Sequence, residues 1–184
     1  MYKTYDNLLS DIDVKLIRDN ISDGEYAPCH DNANRHIIPI SLQQPTYKNI
    51  FEKFADNYKS IFETDFNVNL SKALLSVTYN IDKPGYYIDP HTDNNTSIIL
   101  SQIYCPRDDT RSDLYGTRFY THTGEVIDKA SYIPGSGYVI KPTRLSYHGI
   151  PDIITEDRHS ILLDFVTVEQ LECEGYNIND TILL

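Results

Sequence analysis

The chain reads as a mainly β protein with N-terminal helices (α+β), a double-stranded β-helix or jelly-roll barrel flanked by helical support. Three observations point there. A long segment ending at Phe66 repeats apolar residues at helical spacing, a set of short β-branched and aromatic runs begins after residue 72, and Gly/Pro turn signals separate those runs. With 184 residues and no internal repeat or linker, the chain is expected to form one domain, with helical support over about 1–68 and the jelly-roll core over about 70–170.

Each element follows from local pattern. In "SDIDVKLIRDNI", Ser10 or Asp11 offers a helix cap, and Ile12, Leu16 and Ile17 supply an apolar face. The stretch "PTYKNIFEKFADNYKSIFETDF" places Tyr47, Ile50, Phe51, Phe54, Tyr58, Ile61 and Phe62 at steps of three and four, which predicts an amphipathic helix with one buried stripe. Strands are then predicted within "ALLSVTYNI", "TSIILSQIYC", "GTRFYTH", "GYVIKP" and "SILLDFVTV". Their punctuation is Lys83-Pro84-Gly85, Thr123-Gly124 and Pro134-Gly135-Ser136-Gly137. Short strands at this spacing suit a mostly antiparallel sandwich or jelly roll.

Composition narrows the function. Hydrophobic residues make up 40% and charged residues 23%, a globular balance, and no apolar run reaches the ~20 residues that span a bilayer. The start, "MYKTYDNLLSDID", does not resemble a secretory signal. Cys29, Cys105 and Cys173 are scattered and odd in number, which suits neither a disulfide framework nor a zinc ribbon. A reducing, cytoplasmic setting is therefore expected, without membrane association. A net charge of -11 repels phosphate backbones and argues against a nucleic-acid partner. Oligomeric state is not written in these features.

The chemistry is concentrated around "YIDPHTDN". In an extended chain His91 and Asp93 project to one side while Thr92 turns away, so two metal-competent groups converge. A third ligand has to come from elsewhere, and His30, His36, His122, His148 and His159 are the candidates. His148 is favoured because it follows the strand "GYVIKP" and is flanked in "LSYHGIP" by Gly149 and Pro151. Two histidines and one carboxylate leave adjacent positions open on a metal, as in non-haem Fe(II) oxygenases. Downstream, in "DRHSILLDF", Arg158 and Ser160 share one strand face and His159 takes the other. An interior guanidinium needs an anion. Fe(II) with two neutral imidazoles and one carboxylate carries one positive charge, so a dianionic 2-oxo acid together with Arg158 brings the site to neutrality. A planar guanidinium holds a carboxylate through two parallel bonds, and the Ser160 hydroxyl adds a donor.

The pattern His91-x-Asp93, His148 and Arg158-x-Ser160 resembles the Fe(II)- and 2-oxoglutarate-dependent dioxygenase superfamily over roughly residues 72–168. Within it, "YNIDKPGYYIDPHTD" and "YGTRFY" look like the prolyl-hydroxylase branch. The resemblance implies Fe(II) on His91, Asp93 and His148, with 2-oxoglutarate chelating the metal and its far carboxylate on Arg158 and Ser160. Tyr79 and Tyr104 fall where the branch has phenols bonded to the co-substrate's carboxylates. It further implies O2 as oxidant, ascorbate as an accessory, and hydroxylation of a C–H bond. The leading substrate is a prolyl residue in a peptide or protein, ahead of a free amino acid or other small molecule.

Three departures concern mostly the substrate side: Tyr115-Gly116 replaces a double glycine, Arg158 stands where procollagen-type enzymes often carry lysine, and "PRDDTRSDL" is a charged loop of its own. Halogenating relatives lack the aspartate present here as Asp93, and nucleic-acid demethylating relatives carry a second arginine where this chain has Asp164. Simpler roles stand beside these. Arg158 could pair with Glu156 or Asp157 at the surface, the tyrosines could be core, Cys105 could be packing, and Arg107 to Asp113 could be a solvated loop or a lid. From another class, two histidines and an aspartate also suit Zn(II) in a non-catalytic cupin-like metal- and anion-binding module, or a relic site in an interaction domain.

Overall fold

The computed structural model describes residues 1–21, 27–29, 32–93, 97–107, 115–174 and 178–184, leaving aside the side chains of 27–29, 32–33, 172–174 and 179. In chain order the elements are β1 (Tyr2–Tyr5), α1 (Asp11–Asn20), β2 (Ala27–Cys29), β3 (Asn32–Pro39), α2 (Pro45–Phe66), β4 (Leu74–Asp82), β5 (Ile88–His91), β6 (Ile99–Tyr104), β7 (Arg118–Tyr120), β8 (Val126–Lys129), β9 (Gly137–Ile140), β10 (His148–Ile150), β11 (Arg158–Val166), α3 (Val168–Glu174) and β12 (Ile182–Leu183). The strands form two antiparallel sheets. The larger runs β1-β9-β6-β11-β4-β3-β2, with β12 also on β4; the smaller runs β5-β10-β7-β8. Among the described residues the two ladders stay separate, so the expected barrel is realised as two facing sheets. The N-terminal segment, expected to be helical, also contributes β1, β2 and β3 to the large sheet. Among the described residues no helix is long and apolar enough to cross a membrane.

Helix α2 forms where its periodicity predicts. Pro45 opens it, Asn67 at φ 48 closes it in the left-handed region, and Tyr47, Ile50, Phe51, Phe54, Phe62 and Phe66 are buried. Phe62 meets Phe165 of β11 edge-on at 5.9 Å, which fixes the helix to the sheet. Ile61, expected in the stripe, faces solvent. In α1, Ser10 is the cap, its Oγ accepting from the Asp13 amide at 3.2 Å. The buried residues there are Val14 and Ile17, whereas Ile12 and Leu16 are exposed. Leu8 and Leu9 are buried just before the helix, and the helix face that continues this burial carries Val14 and Ile17.

Strand β4 explains how a cavity arises. Leu75, Val77, Tyr79 and Ile81 pack into the main hydrophobic core with α2, while Ser76, Thr78, Asn80 and Asp82 occupy the other face. An alternating strand ordinarily turns its polar face to water. Here every residue of β4 is buried, because the small sheet lies over the polar side. Across that side runs an ionic row set by register: Asp82 is opposite Arg35 of β3 and also opposite Arg158 of β11. Arg35 donates to the carboxylate through Nε at 2.6 Å and Nη2 at 3.1 Å, and Arg158 through Nη1 at 2.6 Å. Burial alone would raise the Asp82 carboxyl, but the two guanidiniums outweigh it and hold it below the usual carboxylate range.

Close packing also fixes one glycine. A Cβ on Gly116 would lie 1.9 Å from the Ala130 carbonyl oxygen, so only glycine lets the chain entering β7 approach that backbone.

Two stability predictions follow from the buried polar groups. Asp82→Asn leaves two guanidiniums facing a neutral amide, and the expected loss is ~3 kcal/mol in urea unfolding. Burial pushes the His159 imidazole down to about 4 from 6.5. The unfolded chain therefore binds a proton that the folded chain refuses between those values. Stability falls as pH drops through that window, by up to ~3 kcal/mol from this residue, and His159→Gln is expected to flatten the slope relative to the parent chain.

Candidate metal centre and its cavity

The small sheet brings the two histidines together. His148 of β10 is directly opposite His91 of β5, and facing residues of an antiparallel pair share a face; their ring centroids are 4.6 Å apart. Gly149 is what lets the strands close, since a Cβ there would stand 2.7 Å from the Ile88 carbonyl oxygen. Asp93, just past the end of β5, completes the group. Its Oδ1 is 3.6 Å from His91 Nε2 and its Oδ2 is 3.5 Å from His148 Nε2. One ligand atom from each of the three lies within 4.8 Å of the others.

The hydrogen bonds on the far side of each ring support the same reading. His91 Nδ1 is 2.9 Å from the Asp89 carbonyl oxygen, and His148 Nδ1 is 3.1 Å from that of Ser146. A ring that donates from Nδ1 to a carbonyl has its proton there, which leaves the Nε2 lone pair aimed at the centre. Adjacent ligands on one ion at ~2.1 Å are roughly 3 Å apart, so a small inward movement of these atoms would seat a cation. The residues present therefore fit a divalent metal.

The three groups also act on one another electrostatically. Asp93's carboxylate raises His91 against the effect of burial, and burial lowers His148, keeping that ring neutral. Burial opposes ionisation of Asp93, yet His91 and His148 hold it below the usual carboxylate range, and the Arg35 charge is felt at all three ligands.

The triad opens on a cavity of about 320 Å³ between the sheets. Ile88, Leu100, Ile140, Ile150 and Leu162 form apolar wall, whereas Asn80, Gln102 and Thr117 supply polar groups and Arg35 a charge. Arg158 is fully buried behind this wall. Its Nε donates to the Tyr115 carbonyl at 2.7 Å, and its Nη2 faces Gln102 Oε1 and Thr117 Oγ1, each at 3.3 Å. The surface pairing with Glu156 or Asp157 is not what forms: Asp157 takes Lys83 at 2.8 Å, and Arg158 takes Asp82.

Ser160 lies on the same face, its Oγ accepting from Gln102 Nε2 at 3.0 Å. The Tyr104 ring sits 5.1 Å from the Arg158 guanidinium, and its hydroxyl accepts from the Thr117 amide at 2.9 Å. Tyr79 requires a correction. It points to the helix side of β4, 3.1 Å from His159 Nδ1, so the residue that β4 presents to the cavity is Asn80. The strand's period of two is the reason: residues 80 and 82 share the face of Arg158, and residue 79 cannot. His159 is on that far face as expected, His122 is exposed beyond β7, and His36 is on β3; His30 lies outside the described residues, as do 108–113 of the charged loop. Cys105 is buried packing.

Arg35, Asp82, Gln102 and Thr117 escaped the sequence reading. One signal was available, the polar alternation Ser76, Thr78, Asn80, Asp82 in a strand otherwise fit for a core. Arg35 gave none, because its strand is an irregular run in a segment dominated by helix patterns.

No protein-family profile and no curated protein matches the chain. Solved structures do. A prolyl-4-hydroxylase from Pseudomonas putida aligns over 90% of this chain and 92% of its own, with TM-score 0.69 and 14% identity. A prolyl hydroxylase from Trichoplax adhaerens, solved with a peptide fragment of the hypoxia inducible factor oxygen degradation domain, covers 94% and 86% at TM-score 0.69 and 13% identity. HygX from Streptomyces hygroscopicus, solved with nickel and 2-oxoglutarate, covers 91% and 83% at TM-score 0.63 and 9% identity. The fold is thus that of the 2-oxoglutarate and Fe(II) oxygenases, with prolyl hydroxylases among its structural neighbours.

Proposed function

We propose that the protein is an Fe(II)- and 2-oxoglutarate-dependent dioxygenase that hydroxylates a C–H bond. The observation that carries this reading is the convergence of His91 Nε2, His148 Nε2 and an Asp93 oxygen on the wall of a cavity between two sheets, with both rings oriented by backbone carbonyls. Bound iron would supply the oxidising chemistry, consuming O2 and 2-oxoglutarate and releasing succinate and carbon dioxide, with ascorbate as an accessory reductant.

The chain's own part is to bind, orient and enclose. His91, Asp93 and His148 offer three ligands from one side, leaving the cavity side of an ion for co-substrate and oxidant. Arg158 supplies positive charge for the far carboxylate of 2-oxoglutarate, close to Ser160 and Tyr104. Its two 3.3 Å contacts to Gln102 and Thr117 are the weakest it makes and stand between it and the cavity. A carboxylate entering there exchanges neutral acceptors for a charged one. The apolar wall keeps water from the reacting end of the substrate.

For the substrate, a prolyl residue in a peptide or protein has the support of the "YNIDKPGYYIDPHTD" and "YGTRFY" resemblance and of the structural neighbours. A free amino acid or other small molecule is the second reading, favoured by the charged Arg35 on the cavity wall.

Aerobic incubation with Fe(II), ascorbate and 2-oxoglutarate is expected to release succinate. Protein kept without oxygen is expected to bind 2-oxoglutarate only when metal is present, and His91→Ala or Asp93→Ala to abolish that binding. Zinc in place of iron, with neither succinate nor metal-dependent binding, rejects the proposal in favour of an inert metal module. Arg158→Lys is expected to raise the KM for 2-oxoglutarate about tenfold with a smaller change in kcat, and Thr117→Val to raise it less. An unchanged KM in both variants would move the co-substrate's anchor elsewhere.

A further inference from the structure

Charge is unevenly shared in the ionic row. Asp82 brings one negative charge and is fully buried, while Arg35 and Arg158 bring two positive charges, in a protein whose net charge is -11. With a metal on the triad, that one excess positive charge is balanced by dianionic 2-oxoglutarate, so it is the hydrogen-bonding capacity of each guanidinium that decides what else can bind. The two guanidiniums are not equivalent. Arg158 is wholly buried and already donates to Asp82, the Tyr115 carbonyl, Gln102 and Thr117. Arg35 spends only its Nε and Nη2 edge on Asp82. Among the described residues nothing accepts from its remaining N–H groups, and Arg35 lines the cavity with its side chain 21% exposed.

These groups are preorganised. Asp82 fixes one side of the guanidinium, and the Tyr86 ring, itself buried, lies 4.6 Å from it. Two parallel N–H groups held in this way match the two oxygens of a carboxylate. Beside them, Ile88 and Ile150 provide apolar surface on the path along β5 to His91.

The geometry points to Arg35 as the receptor for a carboxylate on the substrate, which selects the second of the two substrate readings above: a small aliphatic carboxylic acid of the amino-acid type in place of a prolyl residue inside a chain. This rests on the dioxygenase reading, with Arg158 serving the co-substrate and Arg35 the substrate.

The test is calorimetric titration of Mn(II)-loaded protein holding 2-oxoglutarate. The probes are L-proline, L-leucine and L-isoleucine, the corresponding amides, and a capped proline-containing tripeptide. At least one acid is expected to bind about tenfold or more tighter than its amide, and Arg35→Gln to erase that preference while weakening 2-oxoglutarate by a clearly smaller factor, about threefold or less. Arg35→Lys is expected to restore part of it. Removing Arg35 leaves Asp82 paired one to one with Arg158, and circular dichroism of both variants checks the fold. Equal binding of acid and amide to the parent protein overturns the inference without reference to any variant. So does binding of none of the probes, or tripeptide binding that Arg35→Gln leaves unchanged. A matching loss of 2-oxoglutarate affinity in Arg35→Gln overturns it as well, by making Arg35 the co-substrate's anchor. Failure of the parent protein to bind 2-oxoglutarate with metal would instead remove the dioxygenase reading beneath it.

Discussion

A single buried carboxylate, Asp82, holds the polar interior of this molecule together. It sits where β3, β4 and β11 run side by side, and it accepts from the arginine opposite it on each neighbouring strand. Charges so far from water persist only when paired and well bonded. The row therefore pins the register of three strands while placing one guanidinium behind the cavity wall and another on it. What faces the cavity is a consequence of that pairing as much as of any residue touching a ligand.

The candidate metal centre is built by a different device. Its ligands come from the small sheet, where the antiparallel pairing of β5 with β10 sets His91 against His148, and Gly149 removes the Cβ that would keep the strands apart. Backbone carbonyls then decide which ring nitrogen carries the proton. The two histidines and the two arginines thus belong to separate sheets, which face one another across the cavity.

Much of this was legible in the sequence for reasons that can be named. The His91-x-Asp93 spacing works because alternate residues of an extended segment share a face, and His148 stands out from the five other histidines by its setting between a strand and Gly149. Helix α2 was legible because its apolar period is long. Strands β1 to β3 are not: β1 and β2 are short edge strands, and β3 lacks a clean apolar alternation. Tyr79 was misplaced since a family motif gives order along the chain but not which face of β4 meets the cavity. The exposed flank of α1 is not legible for a related reason: a ten-residue helix has too few turns for its apolar pattern to fix one face. The partnership of Asp82 with both arginines depends on long-range register, which no local window contains.

Gly116 joins these levels in one position. It stands beside Tyr115, whose carbonyl oxygen accepts from Arg158 Nε, and its own missing Cβ is what admits the Ala130 backbone. A methyl group there would push two segments apart and swing that carbonyl off the guanidinium, though the added carbon never reaches the cavity. Bulk alone is forbidden at this point, which ties the anchoring of a buried guanidinium to a steric condition on the main chain.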